Sequence, residues 1–287
     1  MDLADIKLER VSKSFSINGQ PLSVLDGVSF RVPSAGVVAI VGPNGSGKST
    51  LLRLIAGLLR PDGGSITIGE IPVGKADERV GLVFQEPRLL PWRRVVDNVA
   101  FPLELAGVAA AKRRERARAL LETVGVSAFA NAYPQQLSGG MRQRTAVARA
   151  LVLDPEVLLL DEPFSALDAL TRERFDFELL ELWQRIGATV VVVTHSIPEA
   201  VVLADEVIVL SPRPGRVVAQ VPVRLARPRS TATFDDPAFT RIAAAVRASL
   251  AGTPSDYAAQ EAAAAPVRDV LDRAGSPAWF DPFGGSA

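Results

Sequence analysis

The stretch Gly42-Pro43-Asn44-Gly45-Ser46-Gly47-Lys48-Ser49-Thr50 fits the pattern G-x-x-x-x-G-K-[ST]. Residues of these types at this spacing bind phosphate. The glycines let backbone N–H groups close round anionic oxygens, and a helix start adds partial positive charge. Lys48 would reach β- and γ-phosphates, and the Ser49 hydroxyl would ligate Mg²⁺. The competing reading is a glycine-rich turn that binds nothing. With average residue usage, a chain of this length shows the pattern by accident roughly one time in a hundred. The apolar run Val37–Val41 before it and the helix-compatible Leu51–Leu59 after it lower that chance further. The stretch reads as a nucleotide site.

Two carboxylates end another apolar run, Val157-Leu158-Leu159-Leu160-Asp161-Glu162. Open α/β sheets bind ligands at the C-terminal ends of parallel strands, where this pair would sit. Asp161 would hold the Mg²⁺ that bridges the phosphates, and Glu162, pointing differently, could take a proton from an attacking water. A surface acidic pair is the plainer alternative, disfavoured by the phosphate loop. His195, the one histidine of the chain, follows Val190–Thr194 and so ends a strand at the same rim. Its expected work is to hydrogen-bond the γ-phosphate and order the water, with Glu162 as the base. Leu137-Ser138-Gly139-Gly140-Met141-Arg142-Gln143 opens a helix with a serine cap and two glycines, a second anion-binding helix terminus. One explanation for two such termini is that the second serves another subunit.

These groups need a scaffold. The chain has 287 residues, 32 basic and 32 acidic, so no overall basic field points to nucleic acid. It has no cysteine, which excludes disulfides, thiolate metal sites and S-acylation. Met1–Asp5 is acidic without a signal-peptide core, and no apolar run nears the ~18 residues that span a bilayer. These features predict a soluble cytoplasmic protein that can dock on a membrane partner. Residues 6–32 read as antiparallel strands with turns at Asn18-Gly19 and Asp26-Gly27. Strands at 65–68, 80–84, 157–161, 189–194 and 206–210 and helices near 95–107, 112–124, 140–153, 169–186 and 197–204 follow from periodicity. Their alternation predicts a parallel sheet with helices on both faces. The run Lys112-Arg113-Arg114-Glu115-Arg116 reads as a solvated helix face. Beyond 252, Ala, Pro, Gly and Ser dominate, and the tail reads as disordered apart from a weak helix at 261–273.

Together the motifs resemble, over about residues 1–250, the ATP-binding cassette (ABC) subunits of membrane transporters. Gly42–Thr50 resembles the Walker A motif, Gln85 the Q-loop, Leu137–Gln143 the family signature, and Val157–Glu162 the Walker B motif with its catalytic glutamate. Ser165–Asp168 looks like the D-loop and His195 like the switch histidine. Phe15 sits where the family usually stacks an aromatic ring on adenine; the alternative is a plain core residue. The resemblance implies an α/β P-loop NTPase (RecA-like) core, an antiparallel β subdomain and an inserted helical subdomain at about 88–155, with 251–287 as a tail. It implies ATP and Mg²⁺, with Ser49, Gln85 and Asp161 at the metal. It also implies a head-to-tail dimer in which each ATP meets Ser138, Gly139 and Gly140 of the second copy. Transmembrane permease subunits and, indirectly, a solute-binding protein would complete the assembly at the cytoplasmic face of the membrane. Leu89-Leu90-Pro91-Trp92, Asp97-Asn98-Val99, Arg227-Pro228-Arg229 and Asp236–Phe239 resemble the importer branch for nitrate, sulfonate and taurine. The rivals are a soluble ABC ATPase of DNA repair or translation, and an ABC subunit for another solute or for export.

Overall fold

The computed structural model describes residues 4–163 and 169–252. Strands β1 (Ile6–Ile17) and β2 (Gln20–Val32) form a long antiparallel hairpin. Its turn is Asn18-Gly19, with φ of 50° and 79°, the left-handed pair a two-residue hairpin turn demands. Asp26-Gly27 makes no second hairpin. Gly27 takes φ 64° inside β2 while the register with β1 shifts between Val11 and Lys13, so the glycine bends the strand instead of reversing it.

Strand β3 (Val37–Val41) enters the core and feeds α1 (Lys48–Ile55). Strands β4 (Gly63–Ile68) and β5 (Ile71–Pro72) complete a sheet of order β2-β1-β4-β5. After β6 (Val80–Val83) come α2 (Val95–Leu105), α3 (Ala110–Thr123) and α4 (Gly139–Leu151), which pack on one another. The cationic run on α3 is paired: Arg113 with Glu104, Arg114 with Asp97 and Arg116 with Asp154. Then follow β7 (Val157–Asp161), α5 (Ala169–Ile186), β8 (Thr189–Val193), α6 (Ile197–Leu203) and β9 (Glu206–Leu210). Last come β10 (Val217–Pro222) and α7 (Pro237–Ala251).

The second sheet has the order β10-β9-β3-β8-β7-β6, parallel throughout except for β10 at its edge. Strands β3, β7 and β8 are buried along their whole length, as short Val-, Ile- and Leu-rich runs covered on both faces must be. Alternate residues serve different cores. Val37, Ala39 and Val41 pack with α4, α5, α6 and α7, whereas Val38 and Ile40 pack with α1 and the antiparallel sheet. Helices thus lie on both faces of the parallel sheet, several on one face and α1 together with the second sheet on the other.

Periodicity marks no element between 211 and 251, yet β10 and α7 lie there. β10 is an edge strand ended by Pro222. α7 is announced by Asp236, whose side chain accepts from Ala238 N at 2.7 Å, and by Pro237 in its first turn. No helix among the described residues is long and apolar enough to cross a membrane.

Candidate functional site

The parallel register brings the C-terminal ends of β3, β7 and β8 together. Ile40 faces Val193, and Val193 faces Asp161. Backbone bonds extend the ladder past the strands, Glu162 N to Val193 O at 2.9 Å and Thr194 N to Ile40 O at 3.2 Å. The chemistry-bearing side chains therefore leave one laced edge.

The phosphate loop turns out of β3 into α1. Gly47 has φ 94°, and a Cβ there would come within 2.6 Å of the Leu25 side chain, so only glycine fits. Gly42 is pressed as closely: a Cβ would meet Ser46 Oγ at 2.9 Å and Leu210 O at 3.0 Å. No side chain caps α1, so its first-turn N–H groups face the loop without intrahelical acceptors. Pro43 and Asn44 form the outer bend, where Ser46 N donates to Pro43 O at 3.2 Å. The hydroxyls Ser46 Oγ and Thr50 Oγ1 are buried without a hydrogen-bond partner. A cradle of amides, one ammonium and two unpartnered hydroxyls fits a polyphosphate.

Lys48 is almost fully buried, and its ammonium donates to the carbonyls of Gly42 at 2.9 Å and Pro43 at 3.0 Å. Burial lowers its pKa from the ordinary lysine value, while the Glu162 and Asp161 carboxylates pull the other way. The Ser49 hydroxyl donates to Asp161 Oδ1 at 3.0 Å. Burial raises the Asp161 pKa; the Ser49 hydrogen bond opposes this, the Glu162 charge adds to it, and Arg53 and Lys48 oppose it. Among the described residues no group of three or more His, Cys, Asp or Glu could hold a metal. One carboxylate with a neighbouring hydroxyl suits Mg²⁺, which keeps waters and takes substrate phosphates as ligands.

Glu162 follows Asp161 with φ 43°. A non-glycine residue in this region costs about 1–3 kcal/mol, a strain that persists where the surroundings impose it. Gln85 Nε2 donates to Glu162 Oε2 at 3.1 Å, and His195 Nδ1 lies 3.3 Å from the same oxygen. Three of the residues expected from sequence thus converge, with Asp161, Ser49 and Lys48 beside them.

Ser138 caps α4, its hydroxyl accepting from Met141 N at 3.3 Å. Among the described residues, no hydrogen bond joins Ser138, Gly139 or Gly140 to the phosphate loop. Phe15 lies on β1, partly buried against the α1-side core, with the Lys13 ammonium 5.5 Å from its ring centre. Leu89 packs on the helical core, while Trp92 stands 58% exposed. The expected D-loop, Ser165–Asp168, and the tail beyond 252 lie outside the described residues.

Several residues support the site in ways that their motifs do not signal. Asn98, fully buried on α2, accepts from Leu90 N at 2.7 Å and donates to the carbonyls of Leu90, Arg93 and Arg94, fixing the turn after Gln85. Arg149 of α4 donates to Pro87 O and Arg88 O, both at 2.8 Å, and burial lowers its pKa to about 10. Buried Glu199 accepts from Thr194 Oγ1 at 2.9 Å, and Thr194 Oγ1 accepts from Ser196 N at 3.0 Å, which fixes the turn carrying His195. The pattern Ser196-x-x-Glu199 is a capping-box signal. Half of it forms, because Ser196 Oγ accepts from Glu199 N at 3.4 Å while the carboxylate turns to Thr194.

The ABC transporter family matches this chain over residues 25–165. An uncharacterised ABC transporter ATP-binding protein of Methanocaldococcus jannaschii is 46% identical over 231 residues, 80% of this chain and 86% of the relative. The taurine import ATP-binding protein TauB of Rhizobium johnstonii is 44% identical over 255 residues, 86% of this chain and 97% of that protein. Among solved structures, a dimeric ATP-binding cassette in a post-hydrolysis state with ADP and Pi superposes with a TM-score of 0.70 at 35% identity. It covers 77% of this chain and all of the other. With its phosphate loop, its paired carboxylates and these relatives, the chain belongs to the ABC transporter family, as an ATP-binding subunit.

Proposed function

We propose that this chain is the ATP-hydrolysing subunit that powers import of a small solute of the sulfonate, taurine or nitrate class through a membrane permease. The observation that carries the hydrolytic part is the convergence of Gln85 and His195 on Glu162, one residue from Asp161. The importer part is supported by relatives such as TauB of Pseudomonas fluorescens, a taurine import protein 48% identical over 219 residues, 76% of this chain and 82% of that one.

The loop amides from Gly42 to Thr50 and the Lys48 ammonium hold the triphosphate of ATP. Ser49, Asp161 and Gln85 would hold Mg²⁺, which would supply charge neutralisation to the phosphates. The Glu162 carboxylate accepts a proton from the attacking water, and Gln85 and His195 orient that carboxylate. His195 also hydrogen-bonds the γ-phosphate, and Phe15 stacks on the adenine. Ser138, Gly139 and Gly140 of a second copy close the site, so nucleotide binding favours a two-fold dimer and loss of the γ-phosphate lets it open.

Residues 1–250 act as the ATPase domain, with residues 88–155 its helical part, and 251–287 as an appended tail. The dimer works at the cytoplasmic face of the membrane on permease subunits supplied by a solute-binding protein. The segment from Leu89 to Trp92 offers the permease contact. The test is uptake of labelled taurine, an alkanesulfonate and nitrate by cells lacking this chain, with and without it restored. Loss and recovery of one uptake supports the reading; normal uptake of all three in deleted cells removes the solute assignment.

A further inference from the structure

The turn Ser211–Arg216, which joins β9 to β10, has no part in the chemistry above, yet it packs against the phosphate loop. Arg213 Nε donates to the Gly45 carbonyl at 3.2 Å. At the other end of the same peptide unit, Ser46 N donates to Pro43 O at 3.2 Å. The Gly45–Ser46 peptide is therefore held at both its carbonyl and its N–H. It needs holding, because left-handed glycines flank it, Gly45 at φ 76° and Gly47 at φ 94°, and glycine crosses between backbone regions more freely than any other residue. Gly215 closes the contact: a Cβ there would come within 2.1 Å of Ser46 O.

The turn can bear this load because it is itself fixed. Gly215 N donates to Val24 O at 2.9 Å and Asp26 N to Gly215 O at 3.0 Å, which tie it to β2. Arg216 Nε donates to Asp26 Oδ2 at 2.9 Å, and Ser211 Oγ accepts from Arg216 N at 3.0 Å. Arg213 has no carboxylate within ion-pair distance among the described residues, so its charge at the rim of the loop is not neutralised by an acid. Burial lowers its pKa from the ordinary arginine value, as for a cation without an acidic neighbour.

We propose that Arg213 is a positioning residue for the nucleotide: by pinning the Gly45–Ser46 peptide from outside, it keeps the loop amides in the arrangement that receives a triphosphate. The inference rests on the reading of Gly42–Thr50 as the ATP site. The mechanism does not require Arg213 to touch ATP.

The test uses the full chain. Arg213→Ala and Arg213→Lys are compared with the parent for binding of a fluorescent ATP analogue, for KM and kcat, and for hydrogen–deuterium exchange of the 42–50 segment without nucleotide. Loss of one charge-assisted hydrogen bond at a partly exposed site should weaken ATP binding and raise KM roughly five- to thirtyfold. At saturating ATP, kcat should stay within about twofold, since the groups around Glu162 are untouched. Exchange should quicken in Arg213→Ala, and Arg213→Lys should recover most of the affinity, because an ammonium can donate to the same carbonyl. Unchanged affinity or unchanged exchange in Arg213→Ala overturns the proposal, and so does a lower kcat at unchanged KM. If Arg213→Ala fails to fold, Arg213→Gln removes the charge and is judged by the same outcomes. A parent chain that binds no ATP would instead refute the site itself.

Discussion

His195 Nδ1 lies 3.3 Å from Glu162 Oε2, although the two residues end different strands, β8 and β7. The parallel pairing of those strands creates the relationship, because Asp161 and Val193 are partners in the ladder and each is followed by a turn. Glu162 is largely buried and His195 half-exposed, so the carboxylate is oriented from inside by Gln85 and from the rim by the imidazole.

Glu162→Gln should keep ATP binding and lower turnover by about 10²–10⁴, the usual contribution of a general base. It should also accumulate as an ATP-bound dimer. Steady-state phosphate release and size-exclusion chromatography with ATP check both parts; turnover within a few-fold of the parent would remove Glu162 from the base role.

Lys48→Ala removes the ammonium beneath the loop. The expected result is an ATP dissociation constant higher by about tenfold to a hundredfold, the range for hydrogen bonds to a charged group. Calorimetric titration with Mg-ATP measures it, and parental affinity would contradict the placement of phosphate at Gly42–Thr50.

Buried carboxylates make stability depend on pH. Asp176 of α5 is held at about 9 by burial, with the Glu199 charge adding, Arg172 opposing and Glu173 adding. Glu199 is held at about 7 by burial, against the Thr194 hydrogen bond and Arg172, with Glu162 adding. Each folded-state pKa lies above its unfolded value, so between about pH 4 and 9 the folded chain binds more protons than the unfolded one. Stability is therefore greatest at the acidic side of that window and falls as pH rises through 7 and towards 9. Tm should drop by several degrees from about pH 6 to about pH 8.5, and Asp176→Asn should flatten the slope. A Tm that rises over that interval in the parent chain contradicts the assignment.

Arg229 is buried and donates from Nη1 to Val202 O at 2.8 Å, Ala204 O at 2.7 Å and Val201 O at 3.3 Å. It thereby satisfies the carbonyls that end α6. Burial, with help from the Arg227 charge and against Asp205, lowers its pKa to about 10. Arg229→Leu should leave those carbonyls without a donor and cost about 2–4 kcal/mol. Urea unfolding measures the loss, while ATP affinity should hold because the phosphate loop lies elsewhere.

The strand-end cluster of candidate residues was legible because its members belong to short contiguous motifs. Gly42–Thr50 and Val157–Glu162 each combine an apolar strand with the groups at its end, and the parallel sheet brings such ends together. The fold could be read for the same reason: period and length mark the buried strands. What supports the site was harder to see. Asn98, Arg149, Glu199 and Arg213 act on partners brought near by tertiary packing, or through backbone carbonyls that carry no residue-specific signal. β10 and α7 were missed because an edge strand lacks a clean apolar run and an alanine-rich helix lacks a sharp stripe. The cap at Asp236-Pro237 was the available clue. Asp26-Gly27 misled for a different reason, since a glycine in the left-handed region can bend a strand as well as reverse it.

Adjacent residues of β3 look into separate cores, Val38 towards the phosphate-loop helix and Ala39 towards the helical layer. Truncations on opposite sides of the sheet should consequently add, with little coupling between them. Side chains on the helical flank can therefore change while the wall behind Gly42–Thr50 stays as it was, so the two halves of one polypeptide can vary at different rates.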